Sequence, residues 1–192
     1  MSEMTGFARL RDMNSEAASV ELERTAGSTR AGEALEALYL AHREAVFRYL
    51  RAMTGDDERA LDLTATTFER AFAELRAGRQ PGIGWLLRTA RNAAIDAARR
   101  ARTAVLFHLR SRTDEASVSS PEEQTLEGEK ARRIRKELAL LPRPQRDAIA
   151  LRYSSELTVR EIAEVIDKSA AATQKLLDRG LARLKESLDD LA

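Results

Sequence analysis

The sequence has no cysteine among its 192 residues, and aromatic residues make up only 5% of it. The missing cysteines exclude a disulfide framework and any thiolate metal site. No stretch reaches the roughly 18 apolar residues of a membrane-spanning helix. The N-terminus also lacks an apolar segment of signal-peptide length. We therefore expect a cytoplasmic protein without membrane insertion.

Charged residues are abundant, at 33% of the chain, and alanine, leucine, arginine and glutamate dominate the composition. These four residue types have high helix propensity. Composition therefore predicts an all-α protein.

The formal net charge of +1 conceals an uneven distribution, because residues 113–129 hold six acids and no base. This segment has too few large apolar groups to offset the entropy of ordering it, which predicts a flexible acidic linker. The mildly basic segments 33–112 and 130–192 flank it, and we predict one small helical domain in each. Residues 1–32 are poor in large apolar residues and are predicted to be a mobile extension.

Apolar spacing predicts three helices in the first domain. Apolar residues at three- and four-residue steps indicate an amphipathic helix that ends at Gly55. The second predicted helix has Leu61 and Phe68 on its apolar face. The third begins at Trp85, which is expected to anchor it, and its alanines allow close packing.

The third predicted helix carries a basic face. At about 100° per residue, four arginines fall within an arc of about 80°. This arginine face consists of Arg88, Arg91, Arg99 and Arg102, and Asn92 lies at its edge. Guanidinium groups pair bidentately with phosphate, and an amide both donates and accepts, so the pattern favours nucleic-acid binding. A solvated helix face has the same charge pattern, and that alternative stays open here.

The second domain contains the outline of a helix-turn-helix. Thr158 and Glu161 form a capping box before a short helix, and Ser169 is the predicted N-cap of a longer one. Such a second helix can present polar residues to a major groove, although an ordinary helical hairpin has the same outline. The candidate groove residues are Ser169, Thr173, Gln174, Lys175 and Arg179. The predicted core seam is Leu176, Leu177, Leu181, Leu184 and Leu188.

Residues 33–190 resemble the extracytoplasmic-function sigma factors of bacterial RNA polymerase. The similarity to their region 2 lies in LTATTFERAF and WLLRTARNAAIDAARRAR. The similarity to their region 4 lies in LALLPRPQRDAIALRYSSELTVREIAEVI and the following SAAATQKLLDRGLARL. The patterns Trp-x-x-Arg-x-Ala-Arg-Asn-x-Ala-Ile-Asp and Leu-Pro-x-x-Gln-Arg occur in the order and spacing of the family.

The resemblance implies a promoter-specificity subunit with no catalytic residue and no cofactor. Its expected partners are promoter DNA, the β′ coiled coil and β flap of core RNA polymerase, and an anti-sigma factor. The first domain would hold the melted minus-ten strand, and the second would bind the minus-thirty-five duplex. Asn92 matches the family position that contacts an unstacked minus-ten base. The arginines that would line the strand are Arg88, Arg91, Arg99, Arg100 and Arg102.

The chain departs from the family in the segment that usually binds polymerase. The family commonly has Asp-Ala-Glu-Asp-Leu-x-Gln-Glu there, whereas residues 59–66 keep only Asp62 and Leu63. Ala65 and Thr66 replace the usual Gln-Glu pair. The polymerase contacts that the resemblance implies are Asp57, Glu58, Asp62 and Leu63. The departure keeps open a sigma-like adaptor that binds a regulator without directing transcription.

A helix-turn-helix regulator and an enzyme are the two other function classes that parts of the sequence could fit. A helix-turn-helix repressor or activator would bind intact duplex operators, usually as a dimer, and no dimerisation helix is recognisable beyond the bundle. Catalysis is least favoured, because neither His42 nor His108 has a partner in its neighbourhood of the sequence. The acids at Asp56, Asp57 and Glu58 are explained by the electrostatics of a helix N-terminus.

Overall fold

A computed structural model of the chain describes residues 4–108 and 126–189, with side chains described in 28–103 and 132–189. Within these ranges the chain forms seven helices and no strand, which confirms the all-α prediction. The helices are α1 Met4–Thr54, α2 Asp57–Arg76, α3 Ile83–His108, α4 Leu126–Leu140, α5 Arg143–Ser154, α6 Val159–Ile166 and α7 Ala170–Asp189. Residues 109–125, which include most of the predicted acidic linker, lie outside the described ranges.

Helix α1 begins far earlier than the apolar pattern indicated. Its backbone is helical from Met4, so residues 4–32 continue the first amphipathic helix where the sequence predicted a separate mobile extension. Once a helix has formed, each added residue contributes a hydrogen bond without a new nucleation cost. The packed part of α1 supplies that nucleus, and close packing has begun by Ala31, which is only 4% exposed.

A tight corner joins α1 to α2. Gly55 has a φ of 71°, as a glycine that ends a helix commonly has. The Asp56 side chain then caps α2 by accepting from the Arg59 amide at 3.0 Å. Arg51 closes the corner with two bonds to Asp57, at 2.5 and 2.8 Å. The predicted glycine stop is therefore confirmed.

One apolar cluster joins the two predicted domains, with α5 packed on α1 and α6 packed on α3. From the first domain it includes Val46, Tyr49, Leu50, Ala60, Leu63, Phe68, Ala71, Leu86, Leu87, Ala90, Ala93 and Ala94. From the second domain it includes Ala150, Leu151, Leu157, Ile162, Val165 and Ile166. The two helical domains therefore share a core in this structure.

The second domain has a further apolar cluster between α4, α5 and α7. Its buried members are Leu138, Leu141, Ala148, Ile149 and Leu177. Helix α6 ends at Ile166, its C-cap residue Asp167 has a φ of 57° in the left-handed region, and α7 begins at Ala170. This short connection gives the helix-turn-helix that the sequence predicted.

We predict that Gly180→Ala destabilises the fold. A Cβ at Gly180 would lie 2.6 Å from Ile149 Cδ1 and 3.3 Å from Gln145 Cβ, and Ile149 is only 4% exposed. Overpacking costs about 1–3 kcal/mol, and alanine regains up to about 1 kcal/mol of helix propensity. We expect the free energy of unfolding to fall by about 1 kcal/mol in urea titrations followed by circular dichroism.

The matched control for this prediction is Gly84→Ala in α3. No heavy atom lies within 4 Å of a Cβ at Gly84, so this variant should keep or gain stability. Equal midpoints and slopes for the two variants would contradict the close approach of α7 to α5.

Candidate nucleic-acid interface

Helix α3 is held against the core by its small and apolar residues. Leu86, Leu87 and Ala90 are fully buried, and Ala93 and Ala94 are nearly so. Trp85, at the head of the helix, is half-buried and packs on the same core. The predicted anchoring role of Trp85 is therefore confirmed. Ala98, nearer the end of the helix, is exposed and does not take part in the close packing predicted for its alanines.

The outer side of α3 presents most of the predicted strand-binding residues to solvent. The exposed members of this outer group are Asn92, Arg99, Arg100 and Arg102. Arg100 Nε donates to the Asp96 carbonyl at 3.3 Å, within the same helix. This outer group combines three cations with an amide that can donate and accept, which suits phosphate contact together with base recognition.

The other two predicted strand-binding arginines contact the second domain. Arg91 Nε donates to Asp147 Oδ2 at 2.9 Å, and the Arg91 side chain is only 22% exposed. Arg88 is exposed, and its guanidinium donates to the backbone carbonyl of Glu164 at the end of α6. The structure therefore divides the arginine face between solvent and the neighbouring domain.

Asp147 lies at the centre of a buried polar group. Its other oxygen, Oδ1, accepts from Tyr49 Oη at 2.7 Å. Tyr49, Arg91 and Asp147 are called the Asp147 cluster below. Tyr49 is 0% exposed and Asp147 only 1% exposed. A buried carboxylate is stable only when it is paired and hydrogen-bonded, and Asp147 takes both of its cluster partners from the first domain.

Burial is the main cause that raises the pKa of the Tyr49 hydroxyl well above its usual value, and the adjacent Asp147 carboxylate raises it further. The positive charges of Arg91 and Arg143 act in the opposite direction. Tyr49 is thus held in its neutral form, as a hydrogen-bond donor to Asp147. Sequence reasoning missed this cluster. The one available signal was an acid on the apolar side of α5, beside Ala148 and Ile149.

The recognition helix α7 is capped as predicted, because Ser169 Oγ accepts from the Ala172 amide at 3.2 Å. Thr173 requires a correction. It is 0% exposed, and its hydroxyl donates to the Ser169 carbonyl at 3.0 Å, so it cannot reach a base edge. Gln174, Lys175 and Arg179 are exposed, together with Ser169 itself.

The outer face of α7 also contains an acid that the sequence analysis did not single out. Gln174 Nε2 donates to Asp178 Oδ1 at 2.8 Å, which orients the Gln174 amide along the helix. The predicted leucine seam is only partly right, because Leu177 is buried whereas Leu181 is 39% exposed.

The predicted polymerase contacts on α2 occupy three different environments. Glu58 and Asp62 are exposed, whereas Asp57 is paired with Arg51 at the corner between α1 and α2. Leu63 requires a correction, since it is only 8% exposed and belongs to the core. Leu61, which was expected on the apolar face, is 59% exposed because it lies at the edge of that face.

Within 28–103 and 132–189, where side chains are described, no group of three or more histidine, cysteine, aspartate or glutamate residues is placed to hold a metal ion. Within 4–108 and 126–189, no helix combines the length and the apolar character needed to cross a bilayer.

Comparison with protein families gives two matches. Residues 38–104 match Sigma-70 region 2, and residues 131–184 match Sigma-70, region 4. The chain is also similar to the ECF RNA polymerase sigma factor SigM of Bacillus subtilis. The two are 30% identical over 154 residues, which make up 79% of this chain and 93% of SigM. The first match contains α3, and the second contains the helix-turn-helix.

Two solved structures share the fold. The sigma factor RpoE from Bartonella quintana, in complex with the anti-sigma factor NepR, has a TM-score of 0.65 and 20% identity, covering 79% of this chain and 94% of RpoE. CnrH, in complex with the cytosolic domain of CnrY, has a TM-score of 0.61 and 20% identity, covering 88% of this chain and 96% of CnrH.

We predict that the stability of the chain falls above pH 10 partly because of Tyr49. In the folded state the pKa of the Tyr49 hydroxyl is raised well above the ordinary tyrosine pKa of 10.0, which applies in the unfolded state. Below that pH the two states bind the proton equally. Above it only the unfolded state loses the proton, so the free energy of unfolding falls by up to about 1.4 kcal/mol per pH unit.

Tyr49→Phe should make this alkaline fall shallower in urea titrations at several pH values. Tyr39→Phe is the matched control, because Tyr39 is 40% exposed. This variant should show the same loss of stability above pH 10 as the unmodified chain. Identical pH profiles for Tyr49→Phe and the unmodified chain would contradict the buried hydrogen bond to Asp147.

Proposed function

This chain belongs to the extracytoplasmic-function sigma factors of the sigma-70 family, and on that premise we propose which of its surfaces contact the promoter and the polymerase. As a sigma factor with regions 2 and 4, it is a promoter-recognition subunit of RNA polymerase. The observation that supports the strand-binding site is the exposed outer group of α3, which lies within the region 2 match.

The outer group of α3 is proposed to hold the melted minus-ten strand. Arg99, Arg100 and Arg102 would pair with its phosphates, and Asn92 would bind the edge of an unstacked base. Unstacking a base costs a few kcal/mol. Contacts to the backbone and to the released base offset that cost, which favours the open strand over the duplex.

The N-terminal half of α7 is proposed to contact the minus-thirty-five duplex. The exposed Gln174, Lys175 and Arg179 are long enough to reach base edges or phosphates in a major groove. Ser169 lies at the N-terminus of the helix, where the backbone amides and the helix dipole favour a phosphate. Thr173 is not part of this proposed contact, because its side chain is buried.

Polymerase binding is proposed to use the exposed side of α2. Glu58 and Asp62 supply charge there, and the exposed Leu61 supplies an apolar contact. This surface would meet the β′ coiled coil of core polymerase, while the second domain would meet the β flap. Leu61 would compensate in part for Ala65 and Thr66, which replace the Gln-Glu pair usual in the family.

We further propose that the chain acts in the cytoplasm, with no catalytic step of its own and no cofactor. The domain boundaries proposed from the sequence, 33–112 and 130–192, enclose the two family matches. RpoE and CnrH were each solved with a bound inhibitor or partner domain, which supports an anti-sigma factor as a further partner of this chain.

The function is tested by run-off transcription with core polymerase, the purified chain and a library of genomic fragments. We expect transcripts that start at a defined set of fragments and that require this chain. A variant with a weakened polymerase surface, Asp62→Ala with Leu61→Ala, should have a lower affinity for core polymerase. A chain that binds core polymerase but yields no promoter-dependent transcript would support the adaptor alternative.

We predict that Asn92→Ala impairs strand opening more than duplex binding. Loss of one base-specific contact of about 1–3 kcal/mol corresponds to roughly a five- to 150-fold loss, and it should appear in permanganate footprints of the open complex. Binding of the holoenzyme to a duplex with only the minus-thirty-five element should stay unchanged. Lys175→Ala should give the reverse pattern, and equal losses in both assays would refute the assignment of Asn92.

A further inference from the structure

Arg91 has two incompatible uses. The family resemblance places it among the arginines that would line the minus-ten strand, yet its guanidinium is paired with Asp147 of the second domain at 2.9 Å. While Arg91 Nε donates to Asp147, the same N–H cannot donate to a DNA phosphate, and the whole side chain is only 22% exposed. The structure therefore contains a protein carboxylate in a position where the family resemblance predicts a phosphate of the strand.

The geometry around Asp147 resembles that of a small anion site. Tyr49 Oη donates to one carboxylate oxygen at 2.7 Å, and Arg91 Nε donates to the other at 2.9 Å. A phosphodiester likewise offers two unesterified oxygens on one atom, and both hydroxyl and guanidinium groups are common phosphate donors. The two donors that hold Asp147 can thus hold a backbone phosphate.

We propose that Tyr49 and Arg91 form an anion site that Asp147 occupies while the two domains are packed together, and that a backbone phosphate of the minus-ten strand occupies when the domains separate. This inference rests on the proposed function and extends it in two respects. It adds Tyr49 to the strand-binding residues, and it makes Asp147 an internal competitor of the strand.

The position of the site on α3 supports a phosphate as the second occupant. Arg91 and Arg99 are eight residues apart, which places them about 12 Å apart along the helix axis and about 80° apart around it. A strand bound to the outer group therefore needs to extend only a short distance to reach Arg91. Arg88, which donates to the Glu164 carbonyl, lies one turn further along and becomes available in the same movement.

The competition is expected to be reversible. A buried ion pair contributes little net stability, because the cost of desolvating both charges offsets most of their attraction. Two further hydrogen bonds between the domains lie beside the cluster. Arg88 donates to the Glu164 carbonyl, and Arg48 donates to the Ser154 carbonyl at 3.3 Å. A strand that binds several arginines at once can therefore displace a single carboxylate. The apparent affinity of the chain for the strand is its intrinsic affinity multiplied by the fraction of molecules in which the domains are open.

The direct test is Asp147→Asn, which keeps the shape of the side chain and an acceptor for Tyr49 but removes the charge that pairs with Arg91. The probe is a short fluorescein-labelled single-stranded DNA of mixed sequence, titrated with the full chain and followed by anisotropy. We expect the affinity to rise at least about fivefold. Glu186→Gln makes the same acid-to-amide change at an exposed site on α7 and should leave the affinity unchanged.

A second pair of variants separates an anion site from a merely structural contact. In the Asp147→Asn background, adding Tyr49→Phe should lower strand affinity again, because one phosphate donor is lost. Adding Arg91→Gln should lower it as well and reduce the salt slope of the affinity by about 0.7. If Tyr49→Phe leaves the affinity of Asp147→Asn unchanged, Tyr49 binds no phosphate and the proposal is wrong.

A cross-linking experiment decides the matter even if Asp147→Asn does not fold. The chain has no cysteine, so Arg48→Cys with Ser155→Cys gives a single pair across the domain interface. Closing this pair with a cleavable bismaleimide should weaken the binding of the labelled strand, because the outer group stays exposed while Tyr49 and Arg91 stay covered, and cleavage should restore the full affinity. A cross-linked chain that binds the strand as well as the cleaved one would overturn the proposal.

Failure of this inference is distinguishable from failure of the proposed function. If Asn92→Ala weakens strand binding while Asp147→Asn and the cross-link do not change it, the outer group binds the strand and Asp147 does not compete. If the cleaved, unlinked chain and its Asp147→Asn variant bind no DNA, alone or as holoenzyme, the strand-binding function itself is refuted.

Discussion

A carboxylate buried between two domains is the constraint on which the arrangement of this molecule depends. Asp147 is only 1% exposed, and its charge must be satisfied where it lies. Tyr49 and Arg91, both from the first domain, supply the two hydrogen bonds that its oxygens receive. The position of the second domain is therefore specified by polar geometry, and the same geometry decides which arginines of α3 face solvent.

The apolar surface around the Asp147 cluster raises the free energy needed to separate the domains. Leu151, Leu157 and Ile162 lie in the same core as Tyr49 and Leu50, and uncovering apolar surface is unfavourable by about 25 cal/mol per Å². A partner that stabilises the open form must therefore cover this surface or supply compensating contacts elsewhere. Core polymerase and promoter DNA together can do so, whereas DNA alone must act through the charged groups.

The sequence predicted what depends on local pattern. The all-α fold, the stop at Gly55, the Ser169 cap and the exposed outer group of α3 follow from propensity, capping and helical periodicity. It failed where a residue lies near the edge of a helix face, as with Leu61 and Leu63, or where a hydroxyl bonds its own helix, as in Thr173. The docking of the two domains has no local signal beyond the acid on the apolar side of α5, because Tyr49 and Asp147 are 98 residues apart.

Helix α3 makes three kinds of contact, and helical periodicity places the residues for each kind on a different side of the helix. One side holds Leu86, Leu87 and Ala90 and packs on the core. The outer side holds the exposed Asn92 and Arg99, and the side between them holds Arg91, which faces the second domain. Because α3 is one rigid helix, Arg91 keeps the same position relative to the outer arginines whether the domains are packed together or separated. Movement of the second domain alone therefore changes how far the basic surface extends.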